Sequence, residues 1–174
     1  DGIRNAVSSS TQVTYIKGCA IRDVTVHHIP DAVEAAQKAD AVIMVVGGSS
    51  ARDFKTKYIE TGAATVAQEE DQQLSDMECG EGYDRSTLKL LGHQEELIEA
   101  ITSTGKPVVV IYIQGRPLNM NLAAEKAQAL LTAWYPGEQG GAAIADILFG
   151  DYNPAGRLPV SIPRSEGQLP LFYS

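Results

Sequence analysis

The stretch "AVIMVVGG", residues Ala41–Gly48, decides the fold. An apolar run of this length, closed by two glycines, has the pattern of a parallel strand buried on both faces. A strand with one wet face would alternate instead. "PVVVIYIQG" (Pro107–Gly115) repeats the pattern, and "QALLTAWYPG" (Gln128–Gly137) supplies a further strand that runs into a turn. Between and around these runs the apolar period lengthens to that of helices. "DAVEAAQKAD" (Asp31–Asp40) predicts a helix with Asp31 as N-cap and Pro30 just before it. "LGHQEELIEAITSTG" (Leu91–Gly105) predicts another, with Leu97, Ile98 and Ile101 on its apolar face and a glycine stop. "LNMNLAAEKA" (Leu118–Ala127) and the small-residue segment "QGGAAIADILFG" (Gln139–Gly150) complete the helices of the core.

The ends are less regular. "TQVTYI" (Thr11–Ile16) alternates like a strand, and "GRLPVSIP" (Gly156–Pro163) reads as a short closing strand. "DGIRNAV" (Asp1–Val7) opens the chain as a helix with no strand before it, which is expected of a piece of a longer protein. Strands alternating with helices of these lengths predict an α/β fold with a mostly parallel sheet and right-handed crossovers. In such sheets ligands meet the carboxyl ends of the strands. The loops leaving those ends follow Val46, Ile113 and Trp134. The first is by far the longest. It runs from about Gly47 to Leu88, where ordinary connections take about 2–6 residues, and a loop of that length usually serves a function or lacks order.

Composition excludes some function classes. The chain has 174 residues, 44% hydrophobic and 21% charged, which suits one globular domain with a real core. Its net charge of −8, with no basic stripe, argues against nucleic acid as a partner. No apolar run reaches the length of a bilayer span, and "DGIRNAVSSS" lacks the apolar core of a signal peptide. Cys19 and Cys79 share no CxxC spacing and read as free thiols.

The chemistry concentrates in "DMECGEGYDRSTLKLLG" (Asp76–Gly92) and the polar tract before it. Glu69, Glu70, Asp71, Asp76, Glu78, Glu81 and Asp84 follow one another with no Lys or Arg among them. Crowded like charges make a carboxylate harder to ionise. A carboxylic acid that keeps its proton is what general acid catalysis needs. Gly80 and Gly82 flank Glu81 and would let the backbone present that side chain sharply. By composition alone, a solvated acidic loop ending at Ser86, as cap of a helical turn "TLKLL", is the better fit.

Other candidates carry less. His27 and His28 have no Cys or His at zinc spacing and read as surface or core residues; His93 reads as a helix-start residue. No GxSxG elbow is present. "VVGGSSARDF" lacks both the GxGxxG spacing and the P-loop lysine of a phosphate loop. Trp134 and Tyr135 suit either an aromatic core or a stacking surface for a ligand. No residue pattern points to a cofactor or a metal.

Three segments carry a resemblance. "GEGYDRSTLKLLGHQEELI", "GKPVVVIYIQGRPLNM" and "ALLTAWYPGEQGGAAIADILFGDYNPAGRLPVSIP" follow one another in order. Together they resemble the C-terminal α/β sandwich domain of glycoside hydrolase family 3, the β-glucosidases and β-xylosidases. The likeness runs from about Ile21 to Pro163, and "LPLFYS" resembles the family's exit from this domain, within 164–174. It implies a three-layer, flavodoxin- or Rossmann-like sandwich of the (α/β)6 type. Residues 1–174 would form this single domain of a larger enzyme, without its first strand and its N-terminal (β/α)8 barrel.

The resemblance also implies an activity. Such enzymes are retaining β-glycosidases whose barrel carries a nucleophilic Asp and whose sandwich carries the acid/base Glu. The segment "GEGYDR" places that role on Glu81, with Glu78 as runner-up and Glu60, in "KYIETG", as a third possibility. Asp84 and Arg85 read as a local pair that pins the loop, or as substrate-binding candidates in which Arg85 contacts sugar hydroxyls or steadies the active-site Glu. Arg116, Trp134 and Glu138 would build the domain interface or the edge of the sugar site.

The implied partners are a β-linked glycoside and the enzyme's own barrel, and the implied location is periplasmic or secreted. The isolated domain is expected to be inactive. A carbohydrate-binding or regulatory module that kept the fold and lost the chemistry is the alternative, favoured by the long 49–77 loop. A free-standing nucleotide-binding domain remains because fold alone does not fix function.

Overall fold

The computed structural model describes residues 1–50, 60–61, 76–80 and 83–172. Among them the parallel sheet expected from the apolar runs is present. β1 (Val42–Gly47), β2 (Val108–Ile113) and β3 (Ala129–Thr132) form a three-stranded sheet in the order β1-β2-β3. Val42 to Gly47 pair in register with Val108 to Ile113, and Val109 to Tyr112 with Ala129 to Thr132, all parallel. Around the sheet stand α1 (Gly2–Ala6), α2 (Ile29–Lys38), α3 (Gln94–Thr102), α4 (Asn121–Lys126) and α5 (Gly140–Phe149).

Strand alternation sends Met44, Val46, Val108, Val110 and Tyr112 to one face, where they meet Ala36 of α2, Ile98 and Ile101 of α3 and Ala123 of α4. Burying each large apolar side chain of this kind stabilises the fold by about 1.5–3 kcal/mol. The opposite face is unevenly covered. Ile111 at the centre of β2 is fully buried, but its β1 neighbour Val45 is 57% exposed. So β1 is not buried on both faces as its sequence predicts. α5 packs principally on α1, with the backbones so close that a Cβ on Gly2 would meet the Gly141 carbonyl oxygen at 1.9 Å.

Several local expectations give way to tertiary partners. α2 begins at Ile29 with His28 as the cap residue, so Asp31 sits in its first turn, 3.2 Å from His28 Nδ1. Ile29 is buried, which draws the helix start back before Pro30. α3 starts at Gln94, and "TLKLL" forms no helical turn. Its backbone is claimed from elsewhere: Leu88 N–H donates to the Glu166 carboxylate at 2.8 Å, and Leu88 O accepts from Asn119 N–H at 2.7 Å. Neither Thr11–Ile16 nor Gly156–Pro163 forms a strand. Tyr15 is 74% exposed, and Pro159 and Pro163 remove donors that a ladder would use.

Candidate active site

The carboxyl ends of β1 and β2 set the site's floor. Gly47 closes β1 with φ 136°, and a Cβ there would lie 1.8 Å from the Ile113 carbonyl oxygen. Only glycine suits both the dihedral and the approach. The side chain of Gln94, at the start of α3, fixes this end. Its Oε1 accepts from Gly47 N–H at 2.8 Å, and its Nε2 donates to the carbonyls of Gly47, Ile21 and Leu91 at 2.9, 3.2 and 3.1 Å. Beyond Gly47, Ser49 pairs with Met77 in an isolated parallel bridge, and Ser49 O accepts from Glu78 N–H at 2.9 Å and Cys79 N–H at 3.3 Å. The far end of the long connection thus returns to the strand end it left.

This return buries Glu78. Its side chain is 1% exposed, and its carboxylate lies against the α-carbon of Gly48, where a Cβ would come within 1.8 Å of Oε1. Oε2 accepts from Arg85 Nη1 at 2.6 Å and lies 3.9 Å from Arg116 Nε. Arg85, itself 7% exposed, also donates through Nη2 to Lys89 O. The pair expected between Asp84 and Arg85 is therefore replaced by one between Glu78 and Arg85. Asp84 is exposed and makes no ion pair among the described residues. The strength of the Glu78 pairing depends on its dryness, since a buried charge must be matched by a partner. Even so, Glu78 Oε1, Arg85 Nε and Arg116 Nε are buried with no hydrogen-bond partner among the described residues.

Past Glu78 the chain makes a tight return. Gly80 has φ 136°, and Tyr83 N–H donates to Gly80 O at 3.2 Å. Arg116, from the loop after β2, holds both sides of it. Its Nη2 donates to Glu78 O at 3.2 Å and to Tyr83 O at 2.9 Å. Arg22 Nη1 donates to Met77 O at 2.9 Å, and Ile21 N–H to Asp76 Oδ1 at 3.2 Å. Glu81 lies outside the described residues, as do Glu69, Glu70, Asp71 and most of the 49–77 loop.

The loop after β3 supplies the rim. Trp134 has φ 51°, an uncommon left-handed conformation for a bulky residue and the kind of strain that collects at functional sites. Tyr135 lies over Gly115, whose added Cβ would meet the ring at 2.6 Å. The ring also neighbours Ser50 and Cys79, and its partial burial raises the phenol above its ordinary range. Gln114 is fully buried and donates to Thr132 Oγ1 at 2.9 Å.

The other candidates sit elsewhere. Glu60 is exposed in a turn, and Glu138 is exposed beyond the rim. His27 and His28 are exposed on the segment before α2. His93 takes the N-cap position of α3, its ring 4.7 Å from that of His27. Cys19 and Cys79 are free thiols. No group of His, Cys, Asp or Glu among the described residues is placed to hold a metal ion. Gln94 and Arg22 escape sequence reading. Arg22 belongs to no quoted motif, Gln94 stands in "LGHQEELI" with no sign of its role, and most of their partners are backbone groups of segments far along the chain.

Fold and site together define a parallel α/β domain whose polar cluster gathers on the loops at the carboxyl edge of the sheet. The whole chain, residues 1–174, matches the family described as the glycosyl hydrolase family 3 C-terminal domain, and it belongs to that family. It is 41% identical over 173 residues to a beta-xylosidase of Formosa agariphila, covering 99% of this chain and 20% of that protein. It is 35% identical over 193 residues to the periplasmic beta-glucosidase of Salmonella typhimurium, covering 99% of this chain and 22% of that one. Among solved structures, a β-glucosidase from Erythrobacter marinus superposes with a TM-score of 0.76 at 37% identity, covering 99% of this chain and 23% of that one. The chain thus spans about a fifth of the length of the curated relatives.

Proposed function

We propose that this domain supplies the general acid/base to a retaining β-glycosidase whose nucleophile, an Asp, lies on a separate (β/α)8 barrel. Glu81 is the acid/base. The observation that carries the reading is the anchoring of the chain on either side of it. Glu78 and Tyr83 are tied by Arg116 to the carboxyl edge of the sheet, the edge at which α/β folds meet ligands. Glu78, the other candidate, is 1% exposed and committed to Arg85, which favours an anchoring role for it. Arg85, 7% exposed, is likewise committed to Glu78 and the Lys89 carbonyl, while exposed Asp84 stays available to a substrate hydroxyl.

In the first half-reaction the barrel's Asp attacks the anomeric carbon while the Glu81 carboxylic acid gives its proton to the departing glycosidic oxygen. In the second, the Glu81 carboxylate takes a proton from water as the water displaces the enzyme-bound sugar. A retaining site needs the two carboxyls about 5–5.5 Å apart. The substrate is a β-linked glucoside or xyloside, the classes named by the relatives, and the enzyme is periplasmic or secreted. No helix among the described residues is long and apolar enough to cross a membrane.

Glu81→Ala in the complete enzyme tests the assignment. Turnover of glycosides with poor leaving groups should fall by about 10²–10⁴, with aryl glycosides bearing strongly acidic phenols much less affected. Equal activity of variant and parent on both classes removes Glu81 from the role and favours a module that binds carbohydrate without catalysis.

A further inference from the structure

The guanidinium of Arg116 spans a return of the chain that its own sequence neighbourhood does not contain. Nη2 donates to Glu78 O at 3.2 Å and Tyr83 O at 2.9 Å, and Nε stands 3.9 Å from Glu78 Oε2. A single planar fork therefore addresses both limbs of the return and the buried carboxylate at its base. The fork is itself held in place. Gly115 before it lies under the Tyr135 ring, and Pro117 after it restricts the backbone. Lysine offers one ammonium on a flexible stem and cannot reproduce three fixed directions.

We infer that Arg116 is a positioning residue for the proposed acid. It fixes the two chain limbs between which the acid is carried and does not touch the sugar. Its side chain is 23% exposed, and its Nη2 is already shared between two carbonyls. Positioning of this kind has kinetic weight, because a displacement of about 1 Å can cost roughly 10²-fold in rate. The inference rests on Glu81 as the acid. It predicts a loss specific to the protonation step, whereas loss of sugar binding or of folded protein lowers turnover of all substrates together.

The test uses the complete enzyme with Arg116→Ala, Arg116→Lys and Glu81→Ala. Each is assayed on a dinitrophenyl and a methyl glycoside of the sugar the parent hydrolyses. The readout is the ratio of kcat on the activated substrate to kcat on the unactivated one. Arg116→Ala should raise that ratio by about tenfold or more, with Arg116→Lys between it and the parent. If the alanine variant does not fold, the lysine variant carries the test, with a ratio above the parent's expected. A parental ratio in the folded Arg116 variants, alongside a raised ratio in Glu81→Ala, overturns the positioning role and leaves the acid assignment standing. A parental ratio in Glu81→Ala overturns both.

Discussion

Arg85 Nη1 donates to Glu78 Oε2 across 2.6 Å, and both side chains are withdrawn from water, 7% and 1% exposed. Residues seven apart on an irregular segment meet because the backbone between them turns back at Gly80. Arg85→Ala leaves the Glu78 carboxylate buried without its nearest charge, and breaking such a pair costs about 3–5 kcal/mol. Urea denaturation should show a loss of this size for Arg85→Ala. It should show a smaller loss for the Glu78→Met, Arg85→Leu double substitution, because an apolar pair leaves no buried carboxylate without its partner. A double variant as unstable as the sum of its singles contradicts the pairing.

Gln94 saturates the end of β1 with both functions of its amide, accepting from Gly47 N–H and donating to Gly47 O. Gln94→Leu preserves volume but orphans these buried backbone groups, at about 1–3 kcal/mol. The loss should appear as a lowered thermal midpoint together with faster hydrogen exchange at the Gly47 amide. Unchanged protection at that amide rules out the role.

His93 places its ring nitrogens against Val24 O at 3.1 Å and the Glu96 carboxylate at 2.8 Å, with the His27 ring tilted against it at 4.7 Å. Both partners accept hydrogen bonds, so the protonated ring satisfies both. The bond to Val24 O, followed by that to Glu96, raises the His93 pKa above its ordinary value. A raised folded value means a stabilisation fully present below the unfolded pKa of about 6.5 and lost as pH rises through the folded value. The stability difference between the parent and His93→Gln should therefore shrink from mildly acidic to alkaline pH. A difference that is flat with pH removes the ring's charge from the contact.

The proposed division of the site predicts that this domain does no chemistry alone. The purified 174-residue domain is expected to hydrolyse aryl β-glucosides and β-xylosides no faster than buffer, and to regain turnover only when joined to its barrel. Hydrolysis by the isolated domain at a rate comparable to a complete enzyme sinks the division of labour proposed above.

The three strands were legible because continuous apolar runs such as Val108–Ile113 are hard to place anywhere but inside a parallel sheet. Alternation at Thr11–Ile16 misleads, because a period of two reports a side-chain pattern and not the existence of a partner strand. Helix starts slipped for a similar reason: buried Ile29 outweighs the capping preference of Asp31. The motif "GEGYDR" marked the stretch on which the proposed acid lies but not its pairings. Adjacency in sequence pointed Arg85 at Asp84, yet Arg85 turns inward to Glu78, where the missing water makes the charge pair stronger.

Sequence by itself determined the α/β class with its parallel strands and the family, since these rest on local periodicity and on residue types at fixed spacing. Tertiary structure alone decided which carboxylate is buried, which arginine meets it, and that Arg116 and Gln94 hold the strand ends and the return beside them. Those choices depend on desolvation and on backbone groups brought together from distant parts of the chain.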